Sequence, residues 1–298
     1  MSLPFSRVAI LGTGLIGGSF ALAARAALGG ARIVGWDRPE VLDRAVAAGA
    51  IDEGRADLGE AVAGADLIYV ALPVGATIER IGEIAAHASP QALVTDAAST
   101  KRAVCAEAEK RFAGSALFLG GHPMAGSEGS GIASANALLF QGSKYALIGM
   151  AEPDSIGQWA NDTAKKEARI AGFLRLVEAI GARPVWMDAA AHDRAAAVVS
   201  HLPQLLAVAL AGVAHEASDQ TGLPLTMAGR GLRDALRLAG SPYGLWRDII
   251  LTNTDNLDAV LDRLIQTVEH LRANLRQREM EQEFSTANEV YKILRDLQ

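Results

Sequence analysis

The hydrophobic pattern divides the chain into two unequal parts. In the first, short apolar runs at 7–11, 32–36, 65–72, 92–96, 117–121, 145–149 and 183–187 alternate with segments of helical period at 15–27, 39–49, 73–86, 101–112 and 161–180. The runs are largely continuous rather than alternating, as expected of parallel strands covered on both faces. Strands that alternate with helices predict an α/β fold with a doubly wound sheet. Past residue 188 the strand-like runs stop. An apolar helix is expected through residue 213. A long amphipathic helix is expected over 257–297, with Leu257, Val260, Leu261, Leu264, Val268, Leu271 and Leu275 at helical spacing. The expected organisation is therefore an α/β domain over residues 1–188, followed by an all-α domain over 189–298. A long amphipathic helix that ends a small domain buries its face against another element or another subunit.

The turn after the first apolar run carries chemistry. Gly12-Thr13-Gly14-Leu15-Ile16-Gly17 falls between a strand and a helix. In that setting the first glycine permits a tight turn, the second lets backbone approach a pyrophosphate, and the third lets helix and strand pack closely. The N-terminus of the helix then offers N–H donors and a positive dipole to the phosphates. Asp37, about twenty residues past Gly17, ends the next run, where an acid accepts the ribose hydroxyls of an NAD-type cofactor. Asp37 would repel a 2′-phosphate, which favours NAD over NADP, although Arg38 beside it weakens that preference. Leu72 and Pro73 close another strand and are expected beside the dinucleotide, because ligands of open α/β sheets lie beyond strand carboxyl ends.

Composition narrows the class. Of 298 residues, 50% are hydrophobic and 21% charged, an ordinary globular balance. A net charge of −6 argues against a general nucleic-acid or anionic-membrane surface. The single cysteine, Cys105, excludes an intrachain disulfide and a multi-cysteine metal site, and points to the cytoplasm. The run at 7–11 is too short for the core of a signal peptide. No run reaches the roughly 18 uncharged apolar residues of a membrane span.

A second glycine-rich stretch, Gly120-Gly121-His122-Pro123-Met124-Ala125-Gly126-Ser127-Glu128, follows the strand at 117–121. It places one imidazole at the cofactor end of the sheet, where a histidine can accept a proton near neutral pH. Ser99, after the strand at 92–96, is either a helix N-cap or a hydroxyl facing the nicotinamide. Lys101 reads as solvated in the first helical turn, and Glu128 as either a site acid or a first-turn helix acid. In the second part, His201 reads as a core histidine by default, and Asp193 as a helix cap in preference to a group orienting a histidine.

These stretches resemble the prephenate and arogenate (cyclohexadienyl) dehydrogenases of tyrosine biosynthesis. The resemblance is carried by residues 12–19, by Asp96-Ala97-Ala98-Ser99-Thr100-Lys101 and above all by 120–128. It implies a Rossmann-type sheet followed by a helical domain that binds substrate and forms a homodimer. It implies His122 as the catalytic group, Ser99 near the nicotinamide and the reacting hydroxyl, and Glu128 at the pocket mouth. Ser200-His201-Leu202-Pro203 matches a family motif, which raises a substrate contact for His201. Arg237, in Arg233-Asp234-Ala235-Leu236-Arg237, matches the anchor of a substrate carboxylate, a task suited to a planar bidentate donor. Arg230 departs from the small residues usual before this signature.

The implied reaction is NAD-dependent oxidative decarboxylation of prephenate to 4-hydroxyphenylpyruvate, with hydride leaving ring C4 and no metal required. Arogenate is the alternative substrate. Two more distant readings are a β-hydroxyacid dehydrogenase and a non-catalytic dinucleotide sensor. The first relies on a lysine after the domain boundary, and residues 192–216 contain none.

Overall fold

In the computed structural model the described residues are 3–127, 129–149, 167–219, 222–276 and 280–296. The N-terminal part contains β1 (Arg7–Leu11), α1 (Leu15–Leu28), β2 (Arg32–Trp36), α2 (Pro39–Ala47), β3 (Glu53–Arg55), α3 (Leu58–Val62), β4 (Leu67–Val70) and α4 (Val74–His87). It continues through β5 (Leu93–Asp96), α5 (Arg102–Phe112), β6 (Leu117–Pro123), β7 (Lys144–Ile148), α6 (Ala168–Ala179) and β8 (Arg183–Met187). The eight strands form one sheet in the order β3-β2-β1-β4-β5-β6-β7-β8, parallel except where β6 meets β7.

Both faces of the sheet are covered, which explains why its strands read as unbroken apolar runs. Val8, Ile10, Ile33, Leu67, Tyr69 and Leu93 pack on one side with Phe20 of α1 and Phe173 of α6. Ala9, Leu11, Val34, Ile68, Val70 and Val94 pack on the other with Ile81 of α4 and Val104 of α5. Successive residues of one strand thus enter opposite cores. Each large side chain so buried contributes about 1.5–3 kcal/mol. The short pair β3 and α3 is absent from the sequence reading, because three residues of mixed polarity at a sheet edge carry no periodic signal.

β6 changes partner along its length, and this change positions the histidine stretch. Residues 117–119 pair in parallel with β5, and residues 120–123 pair antiparallel with β7. The strand therefore runs on past the end of β5, carrying His122 beyond it at the carboxyl edge of the parallel strands.

The helical part begins with α7 (Ala189–Ala196), continues through a π turn (Ala197–His201) into α8 (Leu202–Asp219), and follows with α9 (Leu223–Thr226), α10 (Arg230–Ala235) and a 3₁₀ turn (Arg237–Gly240). It ends in α11 (Tyr243–Thr252), α12 (Thr254–Asn274) and α13 (Glu281–Asp296). The single helix expected over 257–297 is thus two helices, since the side-chain period survives a break that backbone geometry does not. The helix expected over 161–180 is described only from Ala168, and residues 150–166 lie outside the described residues.

The helical stretch Ala189–Ser218 is long and apolar enough, by length and composition, to cross a membrane, with a mean hydropathy of 1.8. The uncharged residues Ser200, His201 and Gln204 interrupt its apolar run, which is why the sequence shows no continuous apolar span here. Its polar side chains His192, Asp193, His201 and Gln204 are buried. Asp193 and Asn253 supply protein partners that lipid would not. Much of its apolar surface is uncovered, including Val198, Val199, Leu206, Val208, Leu210 and Val213.

Candidate active site

The glycine loop separates glycines required by the fold from one that leaves room for a ligand. Gly12 has φ +90°, and a Cβ there would lie 2.5 Å from the Ala71 carbonyl oxygen. At Gly17 a Cβ would lie 1.9 Å from the Gly12 carbonyl oxygen. At Gly14 a Cβ would meet nothing within 4 Å. The first two glycines let β1, α1 and β4 close on one another, and the third leaves an open cradle. No side chain caps α1 and no acid occupies its first turn, so its N-terminal amides face that cradle unneutralised. Asp37 accepts hydrogen bonds from Thr13 N at 2.8 Å and from its own neighbour Arg38 N at 2.8 Å, which ties the loop to the end of β2. A dinucleotide pyrophosphate fits this arrangement.

The cradle opens into a groove of about 500 Å³ along the carboxyl edge of the sheet. Gly14, Leu15 and Ile16 line one end, Leu72 and Pro73 the floor after β4, and Ser99 the loop after β5. The helical part contributes Leu245 and Ile249 from α11. A smaller recess beside it is lined by Arg38 and Arg44. Ser99 is not the cap of α5, whose N-cap residue is Lys101, so its hydroxyl is left for the groove.

Lys101 corrects the expectation of a solvated first-turn lysine. It is fully buried, its ammonium donating to the Asp96 carboxylate and, at 2.6 Å, to the Gly121 carbonyl. Asp96 in turn accepts from Gly121 N at 3.1 Å and Ala98 N at 3.0 Å. A charged pair buried this deeply requires such added hydrogen bonds to offset desolvation. It clamps β6 to β5 one residue before His122.

His122 is 9% exposed, and its Nδ1 lies 2.9 Å from His192 Nε2. His192 Nδ1 lies 2.8 Å from the Asp193 carboxylate. Asp193 also accepts from Lys101 N at 2.7 Å and Arg102 N at 2.9 Å. It therefore does cap a helix, though not its own: α7 is capped by Asp188, while Asp193 caps α5 from across the domain boundary. Burial, followed by the neighbouring His192, Lys101 and His201, drives His122 well below the ordinary histidine range and keeps it neutral. Burial acts to raise Asp193. The His192 hydrogen bond and the two backbone amides outweigh it and hold the carboxyl below its usual value.

His122 is not among the residues that line the groove, and neither are His201 and Arg237. His201 is 1% exposed, its Nδ1 faces the Asn253 amide at 3.1 Å, and its ring packs edge-on against Trp246. Arg237 is exposed on a different surface hollow, together with Arg233 and Asp234. The helix that would align both arginines ends at Ala235, so Arg237 belongs to the following 3₁₀ turn. Arg230 opens α10 and is exposed. Glu128 lies outside the described residues. His192 was missed as a site residue; its adjacency to an acid near the start of a helical segment was the available signal.

A doubly wound sheet with this open glycine cradle, a groove at its carboxyl edge and a helical part leaning over that groove defines an NAD-binding oxidoreductase. The nucleotide-binding domain of prephenate dehydrogenase matches residues 20–183, and its dimerization domain matches residues 188–289. The chain belongs to the prephenate dehydrogenase family. It is 33% identical over 281 residues to a prephenate dehydrogenase of Bacillus subtilis, covering 93% of this chain and 72% of that protein. It is 34% identical over 274 residues to a cyclohexadienyl dehydrogenase of Zymomonas mobilis, covering 90% and 88% respectively. The crystal structure of prephenate dehydrogenase from Aquifex aeolicus, in complex with hydroxyphenyl propionate and NAD+, covers all of both chains with a TM-score of 0.85 at 29% identity.

Proposed function

We propose that the chain is an NAD-dependent prephenate dehydrogenase, converting prephenate to 4-hydroxyphenylpyruvate and carbon dioxide. The observation that carries the reading is a neutral, buried imidazole, His122, at the carboxyl edge of the sheet that forms the dinucleotide cradle. Gly12, Gly14, Leu15, Ile16 and Gly17 hold the cofactor phosphates, Asp37 and Arg38 its adenosine side, and Leu72 and Pro73 its nicotinamide side. When bound, NAD supplies the hydride acceptor. His122 accepts the proton of the ring hydroxyl, a step that needs an unprotonated nitrogen, and its buried setting provides one. Ser99 hydrogen-bonds the same hydroxyl and sets the ring against the groove floor. By the family resemblance Arg237 anchors a substrate carboxylate and His201 and Glu128 contact the substrate, although Arg237 and His201 stand away from the groove in the single chain. Once the hydroxyl becomes a carbonyl, loss of carbon dioxide aromatises the ring.

The protein acts in the cytoplasm, in keeping with its lone cysteine, and the unit over 189–298 pairs two copies into a homodimer. That domain's likeness to a dimerization domain and the uncovered apolar side chains of the π turn and α8 support the pairing. Oxidation of arogenate is the second reading, favoured by the cyclohexadienyl dehydrogenase among the relatives. Absorbance at 340 nm with NAD and either prephenate, arogenate or a 3-hydroxy acid separates these readings. His122→Asn is expected to lower turnover about 10²–10⁴-fold while NAD affinity holds; near-normal turnover would sink the assignment. Arg237→Gln is expected chiefly to raise the substrate KM, and an unchanged KM would remove it from the site.

A further inference from the structure

We propose that His192 is a positioning residue which, with Asp193, decides which nitrogen of His122 is the base and then takes over its proton. The inference rests on the reading of His122 as acceptor for the substrate hydroxyl. It follows from which groups are able to donate. Asp193 is fully buried, receives the Lys101 and Arg102 amides, and lies 3.4 Å from the Arg102 guanidinium. An ionised carboxylate only accepts. His192 Nδ1, 2.8 Å from it, therefore carries a hydrogen. A neutral imidazole has one N–H, so His192 Nε2 holds a lone pair and accepts from His122 Nδ1, 2.9 Å away. The hydrogen of His122 is then on Nδ1, and Nε2 presents its lone pair with no protein partner among the described residues. Asp193 is held at the N-terminus of α5, so the whole series is anchored to the sheet that forms the groove.

The same contacts provide a route for the proton. As the substrate O–H bond breaks, its electrons stay on oxygen and the proton forms a new bond with His122 Nε2. The Nδ1–H bond of His122 breaks as its proton bonds to His192 Nε2. His122 is neutral again, and the positive charge rests on His192, directly against the Asp193 carboxylate. Without this transfer the charge would stay on His122, which has no carboxylate within hydrogen-bond reach among the described residues and has Lys101 and His201 among its neighbours. The charged and titratable groups around the two rings among the described residues are Asp96 from β5, Lys101 from the β5–α5 connection, Arg102 from α5, Lys144 from β7, and Asp193 and His201 from the helical part.

The test compares His192→Gln and His192→Leu in the full chain with NAD and prephenate. Glutamine places an oxygen acceptor near the position of Nε2 but cannot take up a proton. Leucine offers neither. For His192→Leu, kcat is expected to fall about 10²-fold with NAD affinity unchanged. Its ¹⁵N-histidine spectrum should show His122 as a mixture of tautomers instead of the Nδ1–H form alone. His192→Gln should keep the Nδ1–H form yet lose turnover, with the acid limb of its pH–kcat profile displaced. Wild-type kcat, pH profile and tautomer in His192→Leu would overturn the proposal. Should neither variant fold, a wild-type spectrum showing His122 protonated at Nε2 overturns it and one showing Nδ1–H supports it. An active His122→Asn enzyme would instead refute the base reading itself, whereas an inactive one beside an unaffected His192→Leu refutes only the relay.

Discussion

His122 and His201 are both buried imidazoles, and for both the largest influence is burial, which disfavours the charged form. His201 is lowered to about 4, with Asp193 acting to raise it and His192 to lower it further. Because its folded value is below the unfolded value of about 6.5, the folded state binds fewer protons. Its contribution is complete above about pH 6.5 and is lost as the pH falls from there towards 4. The urea midpoint should therefore hold steady from pH 8 to 7 and decline between 6.5 and 4, with His201 accounting for at most about 3 kcal/mol. His201→Gln should decline less steeply over that window. Equal slopes for the two proteins would contradict the account. Asp193, a depressed carboxylate, adds stability that is lost only at lower pH, as the solution falls through its folded value.

Among the elements, the glycines of the two loops make separable predictions. Gly14 borders open space, so Gly14→Ala should leave Tm unchanged and weaken NAD binding in a fluorescence titration. Gly17→Ala drives a methyl into the Gly12 carbonyl and should lower both Tm and NAD affinity, at a cost of about 1–3 kcal/mol or more in stability. At Gly121 a Cβ would lie 2.7 Å from the Asp96 carbonyl, so Gly121→Ala should push β6 away from β5. Turnover should then fall while NAD binding survives, because the displaced residue is His122 and not the cradle. Loss of NAD binding in Gly121→Ala would show that the two loops are mechanically coupled. The glycine loop and the strand ends were legible in the sequence, because their geometry depends on neighbours a few positions away. The Lys101 clamp was not legible: a lysine near a helix start reads as solvated until the fold brings Asp96 and the Gly121 carbonyl onto it.

For the whole molecule, the contrast between the two parts has a consequence. The sheet buries its apolar residues on both faces. In the helical part the described buried apolar residues are Ala196, Ala197, Ala207, Ile249 and Leu257. A face as apolar as that of Val208 and Val213, left open in one chain, marks an association surface. Sedimentation of the wild-type protein should give a dimer, and the double variant Val208→Asp, Val213→Asp should sediment as a monomer. A wild-type monomer at micromolar concentration would rule out the pairing. Arg237 and the groove are apart in the single chain, so the monomeric double variant also reports whether the substrate KM depends on a second copy.

The sequence alone determined the α/β and helical parts, the glycine cradle and the family, because strand runs, helical period and motif spacing are properties of short segments. Tertiary structure alone decided that Lys101 is buried, that Asp193 caps a helix about ninety residues earlier in the chain, and that His192 stands between Asp193 and His122. Each of these depends on burial and on contacts between segments far apart in the chain. A side chain's ionisation and hydrogen-bond direction are set by the groups that folding brings around it.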